Sequence, residues 1–183
     1  MKNVLIIEGS PRANGNSAVL CDEFARGAEE AGCSVKRIRA ARKKVAGCLG
    51  CNACLRNGGS CVQKDDMAEI RAEMLAADVI VLASPIYFYS MTAQLKAVID
   101  RTYAFYNELA GKTFYFIVTC GAPDASYTET MLAASPAAFR NPKRAVLCSE
   151  WIQWRRAMSA KRQQWLRRTK WGAGSYKKRS IVT

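Results

Sequence analysis

The sequence predicts an α/β domain built around a parallel β-sheet, and three observations lead to this fold class. Short, continuous apolar runs alternate with amphipathic segments of helical periodicity through the first 134 residues. Such runs are typical of strands buried on both faces, as in parallel sheets covered by helices. Each run ends in a turn rich in glycine, proline or small polar residues. The 183 residues are also enough for one domain with a hydrophobic core.

Four strands and three helices are predicted in this part. Three of the strand runs are apolar enough for the sheet interior, whereas CSVKRIRA is more polar and is expected near an edge. Apolar residues recur at helical spacing in the other segments, and Asp65 or Asp66 is predicted to cap the second helix. In chain order the predicted elements are strand 3–10, helix 16–32, strand 33–40, helix 65–77, strand 78–85, helix 91–106 and strand 111–123.

A change in composition near Ala134 divides the chain into two parts. Residues 1–134 contain 15 Lys and Arg against 14 Asp and Glu, whereas residues 135–183 contain 13 Lys and Arg and the single acid Glu150. The second part therefore carries +12 of the net charge of +13, and it also contains all four tryptophans. We predict a ligand-binding domain over 1–134 and an atypical basic, tryptophan-rich tail over 135–183.

Several classes of protein are disfavoured by composition. No apolar run approaches the ~18–20 residues of a membrane span, and the N-terminal run leads directly into a turn without a signal-peptide cleavage site. The eight cysteines are therefore expected to be reduced thiols, metal ligands or redox groups in a cytoplasmic protein. The absence of histidine excludes histidine-based triads and histidine-ligated zinc.

The turn GSPRANGNS, residues 9–17, is the first candidate ligand site. In parallel sheets the ligand lies beyond the carboxyl ends of the strands, where this turn leads into a helix. Ser10, Asn16 and Ser17 offer donors, Arg12 adds a positive charge, and the helix N-terminus adds its dipole. The turn is therefore favoured as a phosphate cradle over an ordinary turn with an N-cap. Its glycine spacing matches neither the dinucleotide fingerprint nor the P-loop.

Two further strand-end turns suggest a ring-shaped ligand. The turn SPIYFYSMT, residues 84–92, contains three adjacent aromatic residues, Tyr87, Phe88 and Tyr89. These side chains either face a flat heterocycle or pack in the core, and the turn alone favours the core. The turn TCGAP, residues 119–123, brings backbone N–H groups close to a ligand because of its glycine. Together the three turns predict a phosphorylated ring compound.

Three motifs in this order resemble one known family. GSPRANGNS, CLGCNAC followed by CVQKDDM, and ASPIYFYSMTAQLKAVIDR are similar to segments of the NADPH-dependent FMN reductase and iron–sulfur flavoprotein branch of the flavodoxin-like superfamily. The resemblance covers about residues 1–132. It implies a flavodoxin-like three-layer sandwich with sheet order 2-1-3-4-5, in which the fifth strand is doubtful for this chain. It also implies non-covalent FMN and a homodimer or homotetramer with flavin sites near the subunit interfaces.

The resemblance also implies roles for individual residues. The phosphate of FMN is assigned to Ser10, Arg12, Asn16 and Ser17. The isoalloxazine ring is assigned to Pro85, Ile86, Tyr87 and Phe88, with the turn of Thr119, Cys120 and Gly121 beside it. The implied reaction is hydride transfer from NAD(P)H to the flavin and on to an unidentified acceptor, which requires no catalytic acid or base from the protein.

The remaining motif is a cysteine loop with the pattern C-x2-C-x2-C-x6-C, formed by Cys48, Cys51, Cys54 and Cys61. Four closely spaced thiolates suit a [4Fe-4S] cluster, and the resembling iron–sulfur flavoproteins carry a compact motif of this kind. The alternative function is therefore electron transfer between such a cluster and FMN. Zinc and free surface thiols also remain open. The isolated cysteines at positions 21, 33, 120 and 148 are expected to be small buried residues.

The tail does not resemble the family. Its sequence allows a strand over 144–148 and a helix over 149–168 with a tryptophan stripe amid basic residues, a pattern typical of interfacial or nucleic-acid-binding helices. We favour another hypothesis, a shift of reading frame near codon 134. Out-of-frame reading of GC-rich sequence converts Val and Ala codons into Trp and Arg codons, which accounts for the composition. Nucleic acid is accordingly not an expected partner.

Overall fold

The computed structural model describes residues 1–121. The predicted strand 144–148, the predicted helix 149–168 and Cys148 lie outside the described residues. Four strands and four helices are found within them, joined by loops and by three short 3-10 turns. In chain order they are β1 (Asn3–Glu8), α1 (Asn16–Glu30), β2 (Ser34–Arg39), α2 (Ala53–Arg56), α3 (Met67–Ala76), β3 (Val79–Pro85), α4 (Ala93–Arg101) and β4 (Thr113–Thr119).

The four strands form one parallel sheet in the order β2-β1-β3-β4. This order agrees with the predicted 2-1-3-4-5 order as far as the structure describes the chain. β1 and β3 are buried along nearly their whole length because they have a neighbour on each side and helices on each face. β2 alternates between exposed residues and buried or partly buried ones, and it lies at one end of the strand order, which confirms the predicted edge position.

Helices cover both faces of the sheet, so the described chain has three layers. Alternate strand residues point to opposite faces. Leu5, Ile7 and their neighbours pack with α3 and α4, whereas Val4 and Ile6 pack with Phe24 and the rest of α1. The predicted flavodoxin-like sandwich is therefore confirmed for this part of the chain. None of the helices in residues 1–121 has the length and apolar character needed to cross a bilayer.

The predicted helix 91–106 is too long. α4 ends at Arg101, and the chain continues as short 3-10 turns over Thr102–Ala104 and Tyr106–Leu109. Between them the backbone of Phe105 leaves the helical region, with φ of −145°, and its side chain is buried with 3% exposure. Burial of this ring in the core layer of α3 and α4 overrides the helical periodicity of the sequence.

Two of the isolated cysteines are buried as predicted. Cys21 is 0% and Cys120 is 6% exposed. The prediction for Cys33 is wrong, because its side chain is only partly buried and packs against the margin of the α1 core layer. Its position just before the edge strand β2 explains the difference, since an edge strand has no neighbour on one side.

Candidate functional site

Hydrogen bonds connect the three strand-end turns along the carboxyl ends of the strands, and we call this side of the sheet the strand-end edge. Gly9 N donates to Ala83 O at 2.7 Å, which ties the end of β1 to β3. Ile86 N donates to Thr119 O at 2.7 Å, which ties the turn after β3 to the end of β4. The turns singled out in the sequence therefore lie side by side at the carboxyl ends of three adjacent strands. Sites held on such rigid elements have their ligand-binding groups fixed in advance.

The first turn presents an uncapped helix N-terminus. Gly15 precedes α1, no side chain caps the helix, and no acidic residue lies in its first turn. Its first N–H groups and its positive dipole end are therefore available to an anion. Ser10 Oγ accepts from Arg12 N at 3.2 Å and so folds the turn back on itself. The side chain of Arg12 is exposed beside it.

Ser17 is the buried member of the predicted phosphate group. Its side chain is 3% exposed, and its Oγ lies 2.8 Å from Oγ1 of Thr119. In a pair of hydroxyls one oxygen donates and the other keeps its own proton to donate elsewhere. This contact joins the N-terminus of α1 to the third turn and leaves one donor for a further acceptor. The structure thus brings together two residues that the family resemblance assigned to different parts of the ligand, the phosphate and the ring.

The aromatic turn projects away from the core. Tyr87 is 40%, Phe88 is 97% and Tyr89 is 59% exposed. Tyr87 and Ser90 exchange backbone hydrogen bonds, and the two residues between them have positive φ, 47° for Phe88 and 67° for Tyr89. The alternative that these aromatics pack in the core is therefore wrong. A left-handed backbone conformation costs about 1–3 kcal/mol of folding free energy per non-glycine residue, and residues in this conformation cluster at functional sites.

Thr92 and Ser84 support this edge, and sequence reasoning missed both. Thr92 Oγ1 donates to Gly9 O at 2.8 Å, and Ser84 Oγ accepts from Thr92 N at 3.0 Å. Ser84 Oγ also donates to Pro85 O at 2.8 Å. The only signal in the sequence is that Thr92 is a good N-cap residue at the start of α4, a role it also fills.

The cysteine loop is exposed and its thiols are not gathered. Cys48 and Cys51 are exposed, and Cys54 and Cys61 are partly buried. Among residues 1–121, no three His, Cys, Asp or Glu side chains are placed where they could hold a metal ion. The loop as it stands therefore does not fit a cluster, although glycines with positive φ at positions 50, 58 and 59 leave its backbone free to adopt tight turns.

The base of this loop is closed by a buried ion pair that sequence reasoning also missed. Arg101, 3% exposed, donates to Asp65 at 2.8 and 3.1 Å and to Ala46 O at 3.0 Å. Burial by itself would raise the pKa of Asp65, but bonds from Arg101 and from the N–H groups of Ala46 and Met67 outweigh it and lower the pKa. The Asp65 side chain thus joins the two ends of the loop, while Asp66, the other predicted cap, accepts from Lys44 N at 2.7 Å.

Comparison with known proteins places this arrangement in a family. The sequence model for NADPH-dependent FMN reductases matches residues 2–141, which is most of the chain. The chain belongs to the NADPH-dependent FMN reductase family. The match begins one residue before β1 and extends beyond the described residues, so it includes all three strand-end turns and the cysteine loop.

Several curated relatives of this family member are iron–sulfur flavoproteins. One from Archaeoglobus fulgidus is 38% identical over 141 residues, covering 73% of this chain and 63% of the relative. One from Methanocaldococcus jannaschii is 41% identical over 99 residues, covering 54% and 51%. One from Methanosarcina thermophila is 40% identical over 96 residues, covering 52% and 50%. The matches thus span from half to under two thirds of these relatives' length.

Solved structures share the fold of this FMN reductase family member. An NAD(P)H:quinone oxidoreductase from Methanothermobacter marburgensis has a TM-score of 0.65 at 17% identity, with 92% of each chain covered. An FMN-dependent NADH-azoreductase from Bacillus anthracis, solved with FMN, has a TM-score of 0.60 at 15% identity, covering 81% of this chain and 87% of that one. At these identities the likeness establishes the flavodoxin-like fold and not the substrate.

The strand-end edge fits FMN chemically. An open helix N-terminus with Arg12 suits a phosphate dianion. The exposed aromatic residues and the exposed Gly121 border the same edge, where a flat ring could lie. Thr119 and Cys120, which directly precede Gly121 in the chain, are buried with 5% and 6% exposure.

Proposed function

We propose that the protein is an FMN-dependent NAD(P)H oxidoreductase that passes electrons from bound flavin to a small-molecule acceptor. The observation that carries this proposal is the hydrogen-bonded edge formed by three strand-end turns, one with an anion-binding helix terminus and one with projecting aromatic side chains. Membership of the FMN reductase family supports the same cofactor.

In this proposal the residues of the chain bind and orient the cofactor. Ser10, Arg12, Asn16 and Ser17 hold the phosphate, with Ser17 kept in place by Thr119. The ring lies against the segment from Pro85 to Phe88, whose backbone is held by Ile86 N and by Ser84. Bound FMN supplies the redox chemistry by taking up hydride from NAD(P)H and releasing electrons to the acceptor. The protein fixes the ring and needs no titrating side chain of its own.

A charge-reversal variant tests the cofactor site. We expect Arg12→Glu combined with Ser17→Ala to purify with little FMN, because the phosphate would meet a like charge and lose a donor. Lys2→Glu is the matched control, since it makes the same charge change just before β1, at the opposite edge of the sheet. Flavin absorbance per protein would be measured for both. A double variant with the flavin content of the unmodified protein would show that the phosphate lies elsewhere.

A second function, electron transfer through a [4Fe-4S] cluster, is favoured by the iron–sulfur flavoproteins among the curated relatives and by the four cysteines on one loop. Anaerobic reconstitution with iron and sulfide tests it. If the loop rearranges to bind a cluster, Cys51→Ala should lose iron and sulfide but keep FMN, since the loop lies beside the flavin turns and is not part of them. Iron content at background in the reconstituted, unmodified protein would leave a plain flavin reductase.

The assembly and organisation of the protein are further parts of the proposal. We propose that residues 1–134 form the FMN-binding domain and that the cytoplasmic protein is a homodimer or homotetramer. The adjacent exposed side chains of Tyr87, Phe88 and Tyr89 support an assembly, because contiguous exposed apolar patches mark interaction surfaces. Light scattering after size exclusion would test it, and a monomer at micromolar concentration would contradict it.

A further inference from the structure

A cleft of about 400 Å³ lies outside the three strand-end turns that are assigned to FMN. It is formed by the end of the cysteine loop, the first turns of α3 and the segment after α4, and none of the residues assigned to FMN lines it. Its volume is in the range of pockets that hold small metabolites. The proposed flavin chemistry makes no use of it.

Cationic side chains predominate in the walls of this cleft. Lys64, Arg71 and Arg101 line it, against the single carboxylate of Asp65. Asp65 is bound by Arg101, and Glu108 accepts from Arg71 Nη2 at 2.9 Å. Within residues 1–121 Lys64 has no ion-pair partner, so the cleft retains a positive charge after both pairs are formed.

Two buried N–H donors in these walls have no acceptor. Nε of Arg71 and Nε of Arg101 make no hydrogen bond and are shielded from bulk solvent. Leaving a buried donor unpaired is unfavourable, and more so for a charged group. Arg101 is 3% exposed and is held by Asp65, while the Arg71 guanidinium lies 5.4 Å from the centre of the Phe105 ring. Both guanidinium groups are therefore fixed in place before any ligand arrives.

We propose that this cleft binds a small oxyanion, the carboxylate or phosphate group of a metabolite, between Arg71, Arg101 and Lys64. Guanidinium groups match the geometry of both anions, and the partly exposed Arg71 side chain and the exposed Lys64 side chain line the cleft, where an anion oxygen would accept from them. The site is separate from the proposed phosphate cradle of FMN, so it would be occupied in the flavin-loaded protein.

Calorimetric titration of the full-length, FMN-loaded protein tests this proposal. Sodium phosphate and sodium malonate are titrated separately at constant ionic strength, with sodium chloride as the blank. Binding of phosphate alone identifies a phosphorylated ligand class, and binding of malonate alone identifies a carboxylate class. We expect Arg71→Gln to weaken the binding about tenfold or more, since one charge-assisted hydrogen bond of about 1.5 kcal/mol or more is lost.

Glu108→Gln provides a second test, in which the affinity for the anion should increase instead of decrease. Glu108 is half exposed, with 49% side-chain exposure, and competes with the ligand for Arg71. Its neutralisation should tighten binding about threefold, which mere loss of structure would not do. Arg26→Gln is the control, because Arg26 lies on α1 and does not line the cleft. The proposal is overturned if neither anion binds the flavin-loaded protein, if binding appears only after FMN is removed, or if Arg71→Gln and Glu108→Gln leave it unchanged.

Discussion

The missing side chain at Gly9 allows the end of β1 to approach the start of α4. A Cβ at this position would lie 2.6 Å from Thr92 Oγ1 and 2.7 Å from Leu95 Cβ, closer than real atoms come. Both neighbours are buried, with 1% and 0% exposure, so they have little room to move. The close approach also lets Thr92 Oγ1 reach Gly9 O.

We therefore expect Gly9→Ala to lower the free energy of unfolding by about 1–3 kcal/mol through overpacking. It should also reduce FMN content, because the first turn would shift. Gly27→Ala is the matched control, since its Cβ would meet nothing within 4 Å and it lies within α1. That change should stabilise the protein by about 0.5–1 kcal/mol. Urea denaturation measures both, and equal effects of the two substitutions would contradict the packing argument.

The thiols of this chain differ in reactivity because they differ in environment. Burial, and then the charge of Glu8, raises the pKa of Cys21 to about 12, so its thiolate is scarce at neutral pH. Cys48 and Cys51 are exposed. We expect iodoacetamide at pH 7.5 to label these two in the native metal-free protein while Cys21 stays unlabelled until the protein is denatured. Peptide mapping by mass spectrometry measures this, and early labelling of Cys21 would contradict it.

Which site residues the sequence can predict depends on how local their contacts are. Arg12 and Ser17 lie within one turn, so composition and spacing alone indicate an anion site. Thr92 reaches Gly9 across 83 positions, and Arg101 reaches Asp65 across 36. Contacts of that range leave no periodic or compositional trace in a single sequence.

At the scale of elements, the turn between Tyr87 and Ser90 stores backbone strain beside the proposed flavin site. Its two central residues occupy the left-handed region, which glycine adopts at much lower cost. Tyr89→Gly should therefore raise the free energy of unfolding of the apoprotein by about 1 kcal/mol and leave FMN affinity nearly unchanged. Phe88→Gly should stabilise similarly but weaken FMN binding, because Phe88 is assigned to the ring.

Denaturation of the apoprotein and fluorescence titration with FMN separate the two effects. The pair of variants is matched, since each replaces one exposed aromatic residue in the same turn. If both variants bind FMN as the unmodified protein does, Phe88 is not part of the flavin site. If neither is more stable, the left-handed backbone carries no appreciable strain.

The buried ion pair at the base of the cysteine loop should make stability depend on pH. The pKa of Asp65 is lowered in the folded protein, so its contribution is complete above the ordinary carboxyl pKa of about 4 and is lost as pH falls through the lowered value. Asp65→Asn should destabilise the protein by about 3 kcal/mol at pH 7, because it leaves the buried Arg101 charge unpaired.

The difference between this variant and the unmodified protein should shrink below about pH 4, where the unfolded chain protonates this carboxylate while the folded protein still holds it charged. Asp100→Asn is the control, since its pair with Lys96 is solvent-exposed on α4 and contributes about 0.3–0.5 kcal/mol. Denaturant unfolding at several pH values measures both variants. A constant difference from pH 7 to pH 3 would show that Asp65 does not act through its charge.

At the scale of the whole molecule, the sequence predicts the fold because apolar and polar residues follow one pattern along the full length of each strand. The sequence predicts the buried strands β1 and β3 and the polar edge strand β2. It can do so because each burial pattern extends over six or seven residues. The sequence does not predict that the helix expected over 91–106 ends before Phe105, because that break depends on the burial of one aromatic ring. The fifth strand and the tail remain predictions, since they lie beyond residue 121.

The composition of residues 135–183 raises a question about the coding sequence itself. A flavodoxin-like domain needs a partner for β4, which is the outer strand of the described sheet. The tail has one acid against 13 basic residues and holds all four tryptophans. Such a composition is unusual for the closing strand and helix of an α/β domain. From this composition we infer the hypothesis of a frame shift near codon 134.

Resequencing the gene around codon 134 tests this inference, and the mass of the intact protein provides an independent check. We expect the corrected frame to encode more acidic residues and fewer tryptophans, and the corrected protein to resist urea better than the chain as written, which would leave β4 poorly covered. Both proteins would be prepared with FMN and compared at equal concentration. An intact frame, together with a soluble, flavin-loaded protein of the present sequence, would show that the basic tail is a genuine part of this chain.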